Sequence, residues 1–290
     1  MKLTILGLGA MTGAILAGAL DAGAVRAEDV TATTRSAASA EKAASRHGVT
    51  VTSQERDEHA NHAAVAEADI VLVGVKPKDM VATLTDLAPS LRPETVVVSV
   101  AAGVTSATMA AVLPAGQPIV RTMPNTPLTV GSGVVGLAPA ATATAAHVRA
   151  VESLFAGSGL VVPVEEEQLS AVVAAAGSAP AYVFLLAEAI TTHARAMGLD
   201  GAAAEAMAAA TVKGAGLMLQ RGIESEEQTA EQLRRAVMSP NGTTERAVAA
   251  LQDGGFEALV AAAMDAAAAR DRQMGGGVRR MSRVLPCGGP

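Results

Sequence analysis

The chain has 290 residues, half of them apolar and 17% charged, which fits one large or two ordinary globular domains and excludes a disordered polypeptide. A net charge of −6 and a pI near 5.4 exclude a general nucleic-acid footprint, which needs a basic face. Aromatic residues make up 1% and Trp is absent, so the core must be Ala, Val, Leu and Met, with no stacking platform for bases.

The N-terminus enters a strand at once, Leu3–Leu6, with no leader pattern before it, and a soluble cytoplasmic protein is expected. Gly7-Leu8-Gly9 then turns the chain into an apolar helical run opened by Ala10, Met11, Thr12 and Gly13. A glycine at 7 permits the tight turn, and one at 9 lets backbone approach a pyrophosphate. The helix N-terminus adds unpaired N–H groups and positive potential. Strand before and helix after is the context that turns a common glycine pattern into a dinucleotide loop spanning Leu6 to Met11. Thr12 replaces the third glycine of the usual fingerprint, so helix-to-strand packing is expected to differ slightly.

The second strand, Val30–Ala32, ends in Thr33-Thr34-Arg35-Ser36, where an NAD-preferring fold has a carboxylate. Hydroxyls and a guanidinium suit a 2′-phosphate, so NADP is expected, with NADPH preferred over NADH. An ordinary N-cap for the next helix competes for Ser36. Strands at Val49–Thr52, Ile70–Val75, Thr95–Val100 and Ile119–Thr122 alternate with Ala-rich helical segments, as in a parallel sheet covered on both faces. The fourth strand ends in Gly74-Val75-Lys76-Pro77. Its carboxyl end borders the cofactor crevice in such sheets, so Lys76 is either a cofactor contact or a solvated lysine before a proline-started helix. Val100-Ala101-Ala102 ends the fifth strand with the small surface that a flat ring must approach.

Weaker strands at Gly133–Leu137 and Leu160–Val164 close the α/β half. From Glu165 to Arg272 the chain reads as helices, punctuated at Gly198, Gly222 and Asp253-Gly254-Gly255. The expected organisation is a Rossmann-type domain over 1–160, an all-α domain over 161–272, and a disordered tail over 273–290. Ala171–Ile190 is apolar but broken by Gly177, Ser178 and Pro180 and carries Glu188, which points to a buried helix rather than a membrane span. Ala202–Ala210 and Val260–Ala269 suggest close helix packing, including between chains. The single Cys287 and five scattered histidines exclude an internal disulfide and a structural zinc site, and no metal is expected.

Near the end, Ser239-Pro-Asn241-Gly242-Thr243-Thr244 puts two hydroxyls at the entrance of a helix, Glu245–Leu251. Plain N-capping explains this, and so does an anion site built from exposed N–H groups and hydroxyls.

Several segments together resemble the pyrroline-5-carboxylate reductase family: Gly7-x-Gly9-x-Met11, Val75-Lys76-Pro77, Ser99-x-Ala-Ala-Gly103, Arg121-x-Met-Pro-Asn125-Thr126-Pro127, Gly177-Ser-Ala-Pro180-Ala-Tyr182 and Ser239-Pro-Asn-Gly-Thr-Thr244. The likeness runs in order from residue 1 to about 272, and the fourth and sixth segments are specific. It implies reduction of 1-pyrroline-5-carboxylate to L-proline with NAD(P)H, and a helical domain that pairs in a homodimer, with rings of dimers in some members. It assigns Gly7 to Met11 to the pyrophosphate, Thr34 and Arg35 to the adenosine ribose or its phosphate, and Asn61 to the adenine ribose. Val75 to Pro77 and Val100 to Ala102 fall on the nicotinamide side. Glu227, Ser239, Gly242, Thr243 and Thr244 fall where the family contacts substrate, Thr244 on the ring nitrogen.

Two departures from the family pattern are Ala179 and Asn241, each in place of a glycine. Asn is the better tolerated of the two because it adopts left-handed backbone readily. A related dehydrogenase of the β-hydroxyacid type is an alternative; it needs a base on the helical domain, where Lys213 is the only lysine and sits among Gly214 and Gly216. A silent NADP-responsive regulator is the other.

Overall fold

A computed structural model describes residues 1–282, with side chains through Met274. The chain forms two compact units, Met1–Gly177 with Ala266 onward, and Ser178–Asp265.

The first unit is built on eight strands: β1 (Leu3–Leu6), β2 (Val30–Thr34), β3 (Thr50–Ser53), β4 (Ile70–Val73), β5 (Val96–Ser99), β6 (Ile119–Pro124), β7 (Gly133–Pro139) and β8 (Gly159–Pro163). Their order is β3-β2-β1-β4-β5-β6-β7-β8. The strands from β3 to β6 are parallel, β7 runs antiparallel to β6, and β8 parallel to β7. Order reverses between β1 and β4, the switch point where such sheets open a crevice.

Side chains alternate across the sheet, and both faces are apolar. Leu3, Ile5, Ile70, Leu72, Val96 and Val98 share one core cluster with Ile15, Leu16 and Ala19 of α1 (Ala10–Asp21) and with Val151, Leu154 and Phe155 of α6 (Ala145–Phe155). The opposite face carries Leu6, Val71, Val73 and Val97. They pack with residues of α3 (Ala60–Val65), α4 (Met80–Leu87) and α5 (Ser106–Ala110). The remaining helices of this unit are α2 (Ala37–His47) and α7 (Leu169–Val172), the latter running into a π-helical turn at Val173–Gly177.

The second unit holds α8 (Ala179–Ala196), α9 (Gly201–Glu224), α10 (Ala230–Ala236), α11 (Thr243–Asp253) and the start of α12 (Phe256–Ser282). Its apolar residues are largely uncovered. Val183, Phe184, Leu185, Leu186 and Ile190 of α8 and Leu217 and Met218 of α9 are all exposed.

Four expectations need correction. The boundary between units lies after Gly177, not near 160, because β8 is still part of the sheet and α7 packs on it. The apolar stretch around α8 is not buried within the chain: the helical run Glu166–Ala196 is long and apolar enough to cross a membrane, yet its most apolar window is 11% buried. Gly222 lies inside α9 rather than ending a helix; its missing side chain lets the following loop fold back, with the amides of Glu227 and Gln228 donating to Gly222 O. Finally, α12 continues through Ser282 where a tail from 273 was expected. The rest of that tail, with Cys287, lies outside the described residues.

Candidate active site

The glycine turn after β1 is fixed from within. Gly7 has φ +80, a left-handed conformation that L side chains rarely adopt, and a Cβ there would also press on Gly74 at 3.3 Å. Gly7 and Leu8 both donate their amides to Thr33 O, at 3.0 and 2.9 Å. Thr12 turns out to be the brace. Its hydroxyl donates to Gly7 O and accepts from Gly9 N, both at 2.9 Å. Its methyl would meet a Cβ on Gly74 at 2.4 Å. So the residue that breaks the glycine fingerprint holds the loop, and Gly74 is glycine to make room for it. Beside it, a Cβ on Gly13 would approach the His47 ring at 3.3 Å. Burial, helped by the neighbouring Arg46, lowers the pKa of His47.

Gly9 is different. A Cβ on it would meet nothing closer than Gly7 O at 3.9 Å, and its φ is −111. The fold does not demand glycine there, which leaves close approach of a ligand as the reason. Gly13 N bonds back to Gly9 O at 2.8 Å, so the amides of Ala10, Met11 and Thr12 precede the first closed turn of α1 and point outward as donors. A second observation fits a bound dinucleotide: Asn61 in α3 is 7% exposed, and its Oδ1 is buried with no hydrogen-bond partner. We expect Gly9→Ser, which keeps a good N-cap, to hold the melting temperature within about 2 °C. The same change should weaken NADPH binding about tenfold or more in a fluorescence titration.

Around the end of β2 the Thr34 and Ser36 hydroxyls are engaged. Thr33 and Thr34 are buried, and the Thr34 hydroxyl donates to Ser36 O at 3.0 Å. Ser36 is the N-cap of α2, accepting from Ser39 N. The ordinary capping reading therefore holds for Ser36, whereas Arg35 extends into solvent, with its side chain 89% exposed and its guanidinium 3.9 Å from Asp79. Sequence reasoning missed Glu55. Its carboxylate accepts from Ala37 N, the first amide of α2, at 2.8 Å, and its own amide donates to Arg35 O at 3.1 Å. An acid thus stands at the start of α2, two residues from Arg35, whose guanidinium lies 3.9 Å from Asp79.

Across the switch point, Gly74 N donates to Leu6 O at 2.8 Å, Val75 and Pro77 are half-buried, and Lys76 is exposed at the head of a short 3-10 turn. After β5, Ser99 Oγ accepts from Ala101 N at 3.2 Å, which draws Val100, Ala101 and Ala102 across the strand end. Leu6 to Met11, Thr33 to Arg35, Gly74 to Pro77 and Val100 to Ala102 accordingly follow the carboxyl ends of the four adjacent parallel strands β1, β2, β4 and β5.

In the helical unit, Asn241 has φ +60, so the asparagine adopts the left-handed backbone that glycine would otherwise supply. Gly242 donates to Ser239 O at 2.9 Å, and a Cβ on it would collide with Ser239 Oγ at 2.3 Å. The Glu245 carboxylate reaches back to Asn241 N at 2.6 Å. Gly242 is the N-cap of α11 and has no side chain to cap with. Thr243 and Thr244 are the first two helical residues, so plain N-capping does not explain them. Their amides face outward uncapped by Gly242, with Thr243 exposed and Thr244 half-buried. The structure thus brings Ser239, Gly242, Thr243 and Thr244 together. Glu227 lies apart, exposed in the loop between α9 and α10, and no hydrogen bond links its carboxylate to this turn.

Arg121 in β6 and Asn125 just past its end are the buried polar residues of the first unit with the most telling partners. Arg121 Nη1 donates to Glu166 Oε1 at 2.7 Å, and the same oxygen accepts from Ser106 N at 2.7 Å. Burial alone would raise the Glu166 carboxyl; the Ser106 amide and the Arg121 guanidinium outweigh it and hold the pKa below its ordinary value. Among the described residues no group of His, Cys, Asp and Glu could hold a metal.

Comparison with known proteins gives one family for the second half: residues 166–274 match pyrroline-5-carboxylate reductase dimerisation. Residues 2–103 match the NADP oxidoreductase, coenzyme F420-dependent family. A pyrroline-5-carboxylate reductase of Pseudomonas aeruginosa is 42% identical over 215 residues, covering 74% of this chain and 77% of the relative. The structure of a pyrroline-5-carboxylate reductase from Coxiella burnetii superposes with a TM-score of 0.85 at 33% identity, over 94% of this chain and 98% of that one. A Plasmodium falciparum pyrroline carboxylate reductase with NADP bound shares the fold, with a TM-score of 0.81 at 24% identity over 95% and 98%.

Proposed function

This chain belongs to the pyrroline-5-carboxylate reductase family, and we propose that it reduces 1-pyrroline-5-carboxylate to L-proline, using NADPH ahead of NADH. The observation that carries the reading is the bare helix entrance at Gly242-Thr243-Thr244, shaped by left-handed Asn241, in a chain that also holds a dinucleotide cradle at Gly7 to Met11.

The chemistry divides between two helix N-termini. Amides of α1 would hold the pyrophosphate of NADP, with Asn61 Oδ1 accepting from its ribose and Arg35 pairing with its phosphate. NADPH, when bound, supplies the hydride. Amides at the start of α11 would hold the carboxylate of the imine, and the Thr244 hydroxyl would orient the ring nitrogen. A threonine hydroxyl is too weak an acid to protonate that nitrogen alone, so the proton comes from water or arrives on a protonated imine. Holding each reactant by its charged group at a helix N-terminus is the kind of positioning from which hydride transfer draws much of its rate. Ser239 supports this turn, and Glu227 contributes from the preceding loop as the family resemblance implies.

The family of the second half is named for dimerisation, and we read the chain as a cytoplasmic homodimer joined through the helical unit, open to further assembly into rings. The uncovered apolar residues of α8 and α9 support this. So do Gly214 and Gly216, whose missing side chains face open space within the chain rather than the packed surroundings expected from sequence. Light scattering on the purified protein should give at least twice the chain mass.

The deciding assay follows NADPH oxidation on addition of 1-pyrroline-5-carboxylate. Turnover faster than with NADH is expected, and no turnover alongside normal NADPH binding would sink the reading. Arg35→Asp should lower the NADPH-to-NADH ratio of kcat/KM by about tenfold or more, because a charge-assisted contact to the 2′-phosphate is lost and a like charge added. Glu55→Gln should move the ratio the other way. An unchanged ratio in both variants would remove the basis for NADP preference.

A further inference from the structure

The Asn125 side chain is 94% buried by its 6% exposure, and both ends of its amide are used. Oδ1 accepts from Val134 N at 2.8 Å, and Nδ2 donates to Ala176 O at 3.0 Å. The first contact lies across the β6 exit from β7. The second reaches the π-helical turn Val173–Gly177, the last piece of the first unit before the chain passes into the second. Donor facing carbonyl and acceptor facing amide define one orientation of the side chain.

Why Ala176 needs this donor is legible in its neighbours. In a helix its carbonyl would accept from the residue four places on, and that residue is Pro180, which has no N–H. The next amide, Ala181 N, is taken by Ser178 O at 3.0 Å. A proline near the start of α8 therefore removes a donor from the helix before it, and a side chain from a different part of the fold supplies one. A half-buried carbonyl left without a donor is costly, and π turns of this kind occur at functional positions.

We propose that Asn125 is a positioning residue for the reductase reaction: its amide replaces the hydrogen bond that Pro180 cannot make, and so holds the turn from which the substrate-binding helical unit departs. The inference rests on the reading that Thr243 and Thr244 of that unit meet the imine. It links two segments of the sequence, Met-Pro-Asn125-Thr-Pro and Gly-Ser-Ala-Pro180, by the chemistry of one missing N–H.

The test uses the full-length protein with Asn125→Asp, Pro180→Ala and both together. Asp keeps the acceptor for Val134 N and removes the donor to Ala176 O; Ala at 180 returns a backbone N–H. Asn125→Asp should lower kcat about tenfold, with the Kd for NADPH within about twofold of wild type. Hydrogen exchange across residues 173–182 should quicken about tenfold. The double variant should recover both quantities to within about threefold of wild type. Faster exchange with unchanged kcat would make Asn125 a structural brace only and overturn the proposal, as would a lowered kcat with unchanged exchange, or no recovery in the double variant. Should Asn125→Asp fail to fold, recovery of folded active protein in the double variant supports the proposal, and failure of both overturns it. If the wild type does not reduce the imine, the functional reading fails and takes the positioning role with it, while the exchange measurements still decide whether Asn125 replaces the missing donor.

Discussion

Thr244→Ala is expected to lower kcat with 1-pyrroline-5-carboxylate by about 100-fold, the scale on which a misoriented reactant loses rate. NADPH affinity should remain at its wild-type value, because the cofactor cradle we propose lies in the other unit. The two roles of the position separate cleanly. Thr244 is the second residue of α11 and its amide stays in place on substitution by Ala or Ser, whereas the hydroxyl is the group we propose for the ring nitrogen. Thr244→Ser, which keeps the hydroxyl, should recover most of the rate. The N-cap is Gly242, so removing this hydroxyl takes no cap from the helix and the melting temperature should hardly move. Loss of NADPH binding in parallel with kcat would show that the turn serves structure rather than substrate.

Glu166→Ala is expected to lower the stability of the first unit by about 2–3 kcal/mol, since it leaves a buried guanidinium without its counter-charge. The Arg121 side chain is 9% exposed and Glu166 29%, so solvent moderates the penalty below that of a fully buried pair. In a chain of this size the loss should appear as a fall in melting temperature of roughly 5–10 °C. The pair also sets an acid limit. The folded pKa of Glu166 lies below the ordinary carboxyl value of 4.5, so the unfolded state takes up the proton first as pH falls. The stabilisation is complete above 4.5 and is lost as pH drops through the lower folded value. Wild type and Glu166→Ala should therefore differ in melting temperature at pH 7 and converge as pH falls below the ordinary carboxyl range. A difference that is constant with pH would mean that the carboxylate contributes packing rather than charge.

The sheet was readable because its strands carry their own evidence. Val and Ile runs at Ile70–Val73 and Val96–Ser99 are apolar on both faces, and only a strand covered on both sides accepts that pattern. Gly7 was readable for the same kind of local reason, a turn that requires positive φ. What stayed hidden depends on partners distant in sequence. Thr34 looked like a phosphate ligand until its hydroxyl was found spent on Ser36, and Glu55 reaches the start of α2 from the far end of β3. The unit boundary was misjudged because the helical pattern begins at Glu166, whereas Glu166 itself bonds back to β6 and α5. Periodicity marks an apolar helix but not which chain covers it, so α8 was expected inside its own chain. Gly275-Gly-Gly suggested a break in a helix whose backbone runs to Ser282.

The helical unit has one more consequence for handling the protein. Between Ser178 and Asp265 the only buried residues are Ala204, Ala208 and Gly222, too little apolar area to sustain that unit without neighbours. Its folding free energy must then be tied to association and follow mass action, so dilution should loosen it while the sheet, with two filled cores of its own, is indifferent to concentration. A melting temperature quoted for this chain has meaning only beside the protein concentration at which it was taken.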